Sequence, residues 1–124
     1  MRLPDDFTQM TTLRARIEAA ATDRGPFGAT RTVTFVSGDD HETISWLELH
    51  DDARSMAAEL QARGIGPGSH VAILGPTTRV LVTAIQATWL CGACVVMLPL
   101  PMRMASLERF VEATRDRIRQ ADSA

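Results

Sequence analysis

Two cysteines three residues apart are the first groups in this chain that could do chemistry. Cys91 and Cys94 form a C-x-x-C spacing, which is typical of redox-active dithiols and of zinc sites. A redox pair places its first cysteine at a helix N-terminus, whereas Cys91 falls at the predicted C-terminal end of a helix, where the dipole disfavours a thiolate. Zinc would need two more ligands, and the histidines are not arranged as a pair: His41, His50 and His70. Both cysteines are therefore predicted to be core residues.

Two glycine-containing segments resemble phosphate-binding loops in composition. The first contains Gly64, Gly66 and Gly68, but it runs from a helix into a strand, whereas a phosphate loop runs from a strand into a helix N-terminus. The second, residues 75–78 (Gly-Pro-Thr-Thr), has the required order but only one glycine and no lysine. We predict a helix stop at the first and a threonine N-cap at the second.

The charged residues do not form a catalytic set either. His50, Asp51 and Asp52 lie near the start of a predicted helix without a nearby nucleophile, so we predict a solvated first turn. Arginines near the C-terminus alternate with acids, which indicates an ordinary ion-paired helix surface: Arg103, Arg109, Arg115, Arg117 and Arg119, with Glu108, Glu112 and Asp116. The sequence therefore predicts no catalytic, cofactor-binding or metal-binding residue in this chain.

The first half of the chain reads as a helix, a hairpin and a second helix. Residues 7–21 predict a short amphipathic helix with Phe7 and Ile17 on one face, followed by a loop. Two β-branched runs, residues 32–36 and 43–45, flank a turn and predict a β-hairpin. Ser45 and Glu48 fit a capping box that starts a helix ending at Gly64.

The second half predicts a right-handed parallel βαβ unit. Its strands are the apolar runs 70–74 and 94–98. The intervening helix, residues 79–91, is apolar nearly all round, with a thin polar strip of Arg79, Thr83 and Gln86, and we expect it to be buried on most sides. Ser106 caps a last helix whose one side is apolar: Leu107, Phe110, Val111, Thr114 and Ile118. The fold class is α/β, a β-hairpin plus a parallel βαβ unit with flanking helices.

Two physical points predict that this fold is incomplete. The helix of residues 79–91 has more apolar surface than the other elements can cover. Leaving apolar surface exposed to water costs roughly 25 cal/mol per Å². The last helix occupies a crossover position, yet no predicted strand follows it. We therefore expect an N-terminal helix and loop (1–30) and a partial α/β domain (31–124), with self-association favoured by the apolar helix. Alternatively, the last helix packs back on the sheet and ends the domain.

The composition is that of a single globular domain without features of nucleic-acid-binding, membrane-spanning or disulfide-rich proteins. The 124 residues have a net charge of −2 and 45% hydrophobic residues, which fits one domain without a general affinity for nucleic acid. No apolar run has the length of a membrane span or a signal peptide. Two cysteines do not make a disulfide framework. We expect a cytoplasmic protein.

The order of motifs from Thr43 to Pro101 resembles the N-terminal part of the adenylate-forming superfamily, which includes acyl-CoA synthetases, fatty-acyl-AMP ligases and peptide-synthetase adenylation domains. The motifs are TISWLEL at 43–49, RGIGPG at 63–68, VAILGP at 71–76 and CGACVVMLP at 91–99. Residues 81–90 and 98–103 are most similar to actinobacterial fatty-acyl-AMP ligases. One departure is Thr77-Thr78, where many relatives have Asn-Ser.

The resemblance implies a two-step reaction. Magnesium-bound ATP and a fatty acid give an acyl-AMP, and the acyl group then passes to coenzyme A or to the thiol of a carrier protein, such as that of a polyketide synthase. The family's phosphate loop and its other catalytic motifs do not occur in these residues, so the chain alone is expected to be inactive and to supply scaffold. The alternatives are a non-catalytic α/β interaction module and a truncated, pseudogene-like product.

Overall fold

The computed structural model describes residues 12–23, 31–101 and 106–123. In these residues the chain forms four helices and two small two-stranded sheets. The elements in chain order are α1 (Leu13–Thr22), β1 (Thr32–Ser37), β2 (Asp40–Ser45), α2 (Trp46–Ala62), β3 (His70–Ile73), α3 (Arg79–Leu90), β4 (Cys94–Met97) and α4 (Leu107–Gln120). The α/β class is confirmed. The predicted start of the first helix, at Phe7, lies outside the described residues.

The predicted hairpin is present and its second strand is longer than expected. β1 and β2 pair antiparallel from Thr32 opposite Ser45 to Ser37 opposite Asp40. A turn as tight as Gly38-Asp39 lets residues pair right up to it, so β2 begins at Asp40 and not at Thr43. Gly38 has φ of 60°, which its lack of a Cβ permits.

Helix α2 begins and ends as the sequence predicts. Ser45 Oγ accepts a hydrogen bond from the amide of Glu48 at 3.0 Å. The capping box also predicts a hydrogen bond from the Ser45 amide to the Glu48 carboxylate. That carboxylate instead accepts a hydrogen bond from Arg79. At the other end Gly64 has φ of 89°, and the Ile65 amide reaches back to the carbonyl of Leu60 at 3.1 Å. This left-handed glycine turn ends the helix.

The predicted parallel βαβ unit is also present. β3 and β4 pair in parallel, with His70 opposite Cys94 and Ile73 opposite Met97, and α3 connects them. α3 packs on α2 through small side chains, and Ala53 and Ala87 are fully buried there. Small residues let two helices approach closely, so this interface forms the main core: Ala53, Ala57, Ala87, Leu90, Cys91 and Ala93.

Helix α3 turns its polar strip inward. Thr83 and Gln86 are only 5% and 6% exposed, whereas apolar Val80 is 68% exposed. The expectation of an apolar helix buried on most sides is therefore wrong at its N-terminal turn. The physical reason is that Arg79 is held by acids of β2 and α2, which rotates the strip toward α2.

The sheet β3–β4 is covered incompletely. Cys94 is exposed and Met97 is 50% exposed, so the prediction that both cysteines are core residues is wrong for Cys94. β4 is an edge strand in the described part of the chain, and side chains of an edge strand are covered only where another element reaches them. Large apolar side chains are exposed elsewhere too: Val36, Leu47, Leu74, Leu100 and Leu107.

The outer helices are capped by hydroxyl side chains. Thr12 accepts from the amide of Ala15 and Ser106 from that of Arg109. α4 has no fully buried residue, and Leu107 at its start is 70% exposed. Among its arginines, Arg119 pairs with Asp116 at 3.5 Å, and Arg103 lies outside the described residues. α4 is an ordinary charged surface helix, as the sequence predicts.

Candidate functional site

The densest polar cluster in the described residues surrounds Arg79, the first residue of α3. Its Nη1 donates to Glu42 on β2 at 2.7 Å, and its Nη2 donates to Asp52 and Glu48 on α2 at 2.7 and 3.0 Å. Its Nε also reaches Asp52, at 3.2 Å. One guanidinium therefore ties the hairpin and two helices together. We call these four residues the Arg79 cluster.

The electrostatics of the Arg79 cluster suit structure more than catalysis. The hydrogen bonds that Arg79 donates, first to Asp52 and then to Glu42, raise the pKa of Arg79 above its ordinary value against a smaller opposing effect of desolvation. The group thus keeps its charge at any pH where the protein folds and cannot transfer a proton. Three carboxylates around one cation leave a net negative surface, which disfavours phosphate binding.

Sequence reasoning missed this cluster because its members come from three elements. Glu48 was assigned to a capping box and Asp52 to a solvated turn. The only signal in the sequence is a lone arginine at the start of an otherwise apolar helix. A charge in that position needs partners from other elements, but the sequence does not say which.

The C-x-x-C pair is split between two environments. Cys91 caps α3 and is buried, with its Sγ 3.5 Å from the carbonyl of Ala57. Burial raises the pKa of the Cys91 thiol above its ordinary value, which disfavours the reactive thiolate. Cys94 is exposed on β4. Within the described ranges no three His, Cys, Asp or Glu side chains are grouped to hold a metal ion.

The glycine segments lie where the sequence places them, the first between α2 and β3 and the second before α3. Gly64 and Gly68 have φ near 90°, at 89° and 87°, in the turn between α2 and β3. At the start of α3, Thr78 Oγ1 accepts from the amide of Leu81 at 3.3 Å, so a side chain already uses one of the first-turn donors. Arg79, the residue after Thr78, forms ion pairs with the carboxylates of Glu42 and Asp52.

His50 is placed differently from the prediction. It is buried, whereas the sequence predicted a solvated turn shared with Asp51 and Asp52. It lies one turn before Ala53 and Ala57 on the inner side of α2. Its Nδ1 has no hydrogen-bond partner in the described residues. No nucleophile lies beside it in sequence, and Asp52 is engaged by Arg79.

Several shallow grooves border the α2–α3 pair in the described residues. The most apolar, about 460 Å³, runs past Met56, Val80 and Thr83. A second, about 570 Å³, lies between the start of α1 and the end of α3 beside Trp89. A third, about 220 Å³, lies between the hairpin and the start of α3. In the part of the chain that the structure describes, no helix is long and apolar enough to cross a membrane.

The comparison with known sequences decides the family. The sequence profile described as AMP-binding enzyme matches residues 20–118. The chain belongs to the AMP-binding enzyme family. A Mycobacterium tuberculosis protein named as a ligase is 33% identical over 87 residues, which are 68% of this chain and 16% of that protein. A Rhodococcus jostii CoA ligase for a methyl-dioxo-octahydroindenyl propanoyl group is 30% identical over 100 residues, 81% of this chain and 18% of that protein.

Solved structures of this family have the same fold. A fatty acid AMP ligase from Legionella pneumophila superposes with a TM-score of 0.76 over 98% of this chain, at 21% identity. The adenylation domain of a keto acid-selecting peptide-synthetase module gives 0.70 over 93%, at 24% identity. The chain covers 20% and 21% of those structures. The described residues therefore have the fold of part of these structures, and together with the family match this confirms the resemblance to the adenylate-forming superfamily.

Proposed function

We propose that this chain is the N-terminal segment of a fatty-acid-activating ligase and that it acts there as scaffold. The observation that carries the proposal is the superposition of 98% of the chain on 20% of the structure of a fatty acid AMP ligase. In the complete reaction a fatty acid carboxylate attacks the α-phosphate of ATP and pyrophosphate leaves. A thiol, of coenzyme A or of a carrier protein, then takes the acyl group and AMP leaves.

The residues of this chain support such an enzyme by holding elements together. Small side chains at Ala53, Ala57 and Ala87 let α2 and α3 pack closely, and Arg79 fixes both helices to the hairpin. Within the described residues no three His, Cys, Asp or Glu side chains are grouped to hold a metal ion. In this proposal ATP, magnesium, the fatty acid and the acceptor thiol are bound by polypeptide other than these residues.

The isolated 124-residue chain is the first object to test. We expect no fatty-acid-dependent exchange of pyrophosphate into ATP and no ATP hydrolysis above a blank. A full-length fatty acid AMP ligase assayed in parallel is the positive control. Exchange that depends on both the fatty acid and this chain would contradict the assignment of the chain as scaffold.

A non-catalytic interaction module is the second candidate, favoured by the absence of a catalytic set among the described residues. The coding sequence after residue 124 separates the two. A Gly/Thr-rich loop followed by Pro-Lys within roughly 100 codons, one domain length, supports the ligase. A stop codon there supports the module or a truncated product. The cytoplasmic location, the division at residue 30 and self-association stay predictions, and sedimentation of the chain tests the last of these.

A further inference from the structure

The hairpin β1–β2 turns one face toward the helices, and that face contains an acidic residue. Val33 pairs with Ile44, and Phe35 pairs with Glu42. Because residues paired across an antiparallel ladder lie on the same face, these four side chains share one side of the hairpin. Ile44 is buried and Val33 and Phe35 are half-buried, while the Glu42 carboxylate reaches Arg79 at 2.7 Å. This inner face of the hairpin therefore combines apolar contact with one ion pair.

Arg79 is held in place from the helix side without help from the hairpin. Its Nη2 and Nε both donate to Asp52, at 2.7 and 3.2 Å, and its Nη2 also donates to Glu48 at 3.0 Å. The remaining nitrogen, Nη1, donates to Glu42. The two carboxylates of α2 therefore orient the guanidinium even when Glu42 is displaced, so the helix side of the contact is preassembled.

The base of the hairpin is fastened separately from its far end. The Trp46 amide donates to the Arg31 carbonyl at 2.9 Å, and the Arg31 guanidinium pairs with Asp23 at 2.7 Å. β2 passes directly into α2 at Ser45, whose side chain caps that helix. Glu42 lies farther out, toward the turn of the hairpin. The far end can therefore move away from the helices while the contacts at the base stay intact.

The contact at the far end depends on a balance of charge. One guanidinium faces three carboxylates, so without Arg79 the Glu42 carboxylate would meet only the negative charges of α2 and be repelled. The side chains of Arg79 and Glu42 are 27% and 53% exposed, so dissolved salt screens their attraction. The Debye length falls from about 10 Å at 0.1 M to about 3 Å at 1 M. High ionic strength should therefore weaken this contact more than it weakens the apolar core.

We propose that the hairpin is a strap that opens and closes on the α2–α3 pair, and that the ion pair between Arg79 and Glu42 is its latch. The strap swings about its base at Ser45 while the helix core stays folded, and high ionic strength opens it. In the closed state the strap forms one wall of the groove of about 220 Å³ whose other wall includes Thr78. This inference concerns the docking of the hairpin and is independent of the proposed catalytic activity.

Thiol labelling measures the opening of the strap. Ile44→Cys introduces a thiol on the inner face of the hairpin, and Cys94→Ser removes the exposed native thiol. Cys91 is buried and reports on the helix core. Peptide mass spectrometry gives the rate at which uncharged iodoacetamide labels each thiol. From about 0.1 M to about 1 M sodium chloride, we expect labelling of the introduced thiol to speed up by about fivefold without a matching change at Cys91.

Charge variants of this reporter chain identify the latch. Glu42→Gln should speed up labelling of the introduced thiol by about fivefold and remove most of its salt dependence. Asp40→Asn is the matched control, because it removes the same charge from the same face of β2 outside the Arg79 cluster, and it should change neither quantity. Arg79→Met should speed up labelling further, since the three carboxylates then repel one another. Adding Glu42→Gln to Arg79→Met should slow labelling, which is the reverse of its effect when Arg79 is present.

Three results would overturn the proposal. One is labelling of the introduced thiol at the rate of Cys91 in every chain, because the hairpin would then open only when the core unfolds. Another is an equal effect of Asp40→Asn and Glu42→Gln, which would indicate general charge and no latch. The third is Glu42→Gln acting in the same direction with and without Arg79, since the two residues would then act independently. If Arg79→Met unfolds the core, seen as fast labelling of Cys91, the salt series and the comparison of Glu42→Gln with Asp40→Asn decide.

Discussion

Replacing Gly92 with alanine tests how α3 is joined to β4. Gly92 has φ of 76°, and an added Cβ would lie 3.3 Å from Cγ of Pro67. Gly64 ends α2 in the same kind of turn, with φ of 89°, but an added Cβ there would have no atom within 4 Å. Gly64→Ala is therefore a matched control that introduces the backbone strain without the contact.

The two substitutions should differ by the cost of that contact. A left-handed conformation costs a non-glycine residue about 1–2 kcal/mol, and both variants carry this cost. A crowded contact in a packed region adds about 1 kcal/mol. We expect Gly64→Ala to lower the free energy of unfolding by about 1 kcal/mol and Gly92→Ala by about 2 kcal/mol. In a Pro67→Ala background the difference between the two should largely disappear.

Urea unfolding followed by circular dichroism measures these free energies. Tryptophan fluorescence gives a second signal from Trp46 on α2 and Trp89 on α3. The reasoning would be refuted if Gly92→Ala cost no more than Gly64→Ala. It would also be refuted if the excess cost of Gly92→Ala persisted after Pro67→Ala, since the strain would then have another source.

Four further predictions concern the core, the two thiols and the end of α4. Leu49→Ala should lower the free energy of unfolding by about 2–5 kcal/mol because Leu49 is fully buried. Leu107→Ala should change it by less than about 0.5 kcal/mol because Leu107 is exposed. Equal losses for the two variants in urea unfolding would contradict this packing. Cys94 should react with a thiol reagent at pH 8 much faster than Cys91, and two equally fast thiols in the folded chain would be inconsistent with the structure. Because burial raises the Cys91 pKa from the ordinary 9.0, stability should be unaffected below about pH 9 and should fall as pH rises from there through the folded pKa; Cys91→Ala should weaken this alkaline loss in thermal melts. Asp122 follows α4 in a left-handed turn with φ of 48°, so Asp122→Gly should relieve the strain and raise stability by about 1 kcal/mol. A lower melting temperature would argue against that turn.

Local patterns predicted the elements well, because the relevant forces act between residues close in sequence. Ser45, Thr78 and Ser106 each cap the helix they precede, and a capping bond spans three residues. The glycine at the end of α2 was predictable for the same reason. The hairpin was predicted with β2 three residues short, since pairing near a turn depends on the turn geometry as well as on β-branched side chains.

Features that depend on distant partners were not predictable from pattern. Nothing near Arg79 in sequence indicates that it meets Glu42 and Asp52. Cys94 begins an apolar run in the sequence but is exposed in the structure. The reason is that burial of a strand depends on which elements cover the sheet. The acidic neighbours of His50 indicate a solvent-exposed turn, but His50 is buried. Its position three residues before Ala53 places both on the same face of α2, and this spacing was the available signal.

A chimeric enzyme tests the central claim most directly. The segment of the Legionella pneumophila fatty acid AMP ligase that superposes on this chain is replaced by this chain, and fatty-acid-dependent exchange of pyrophosphate into ATP is measured. The matched variants are Ala53→Arg, in the buried α2–α3 interface, and Ala58→Arg, on the exposed side of α2. A scaffold role predicts that the chimera and its Ala58→Arg form catalyse exchange and that the Ala53→Arg form does not. A correctly folded chimera without exchange activity would contradict the claim.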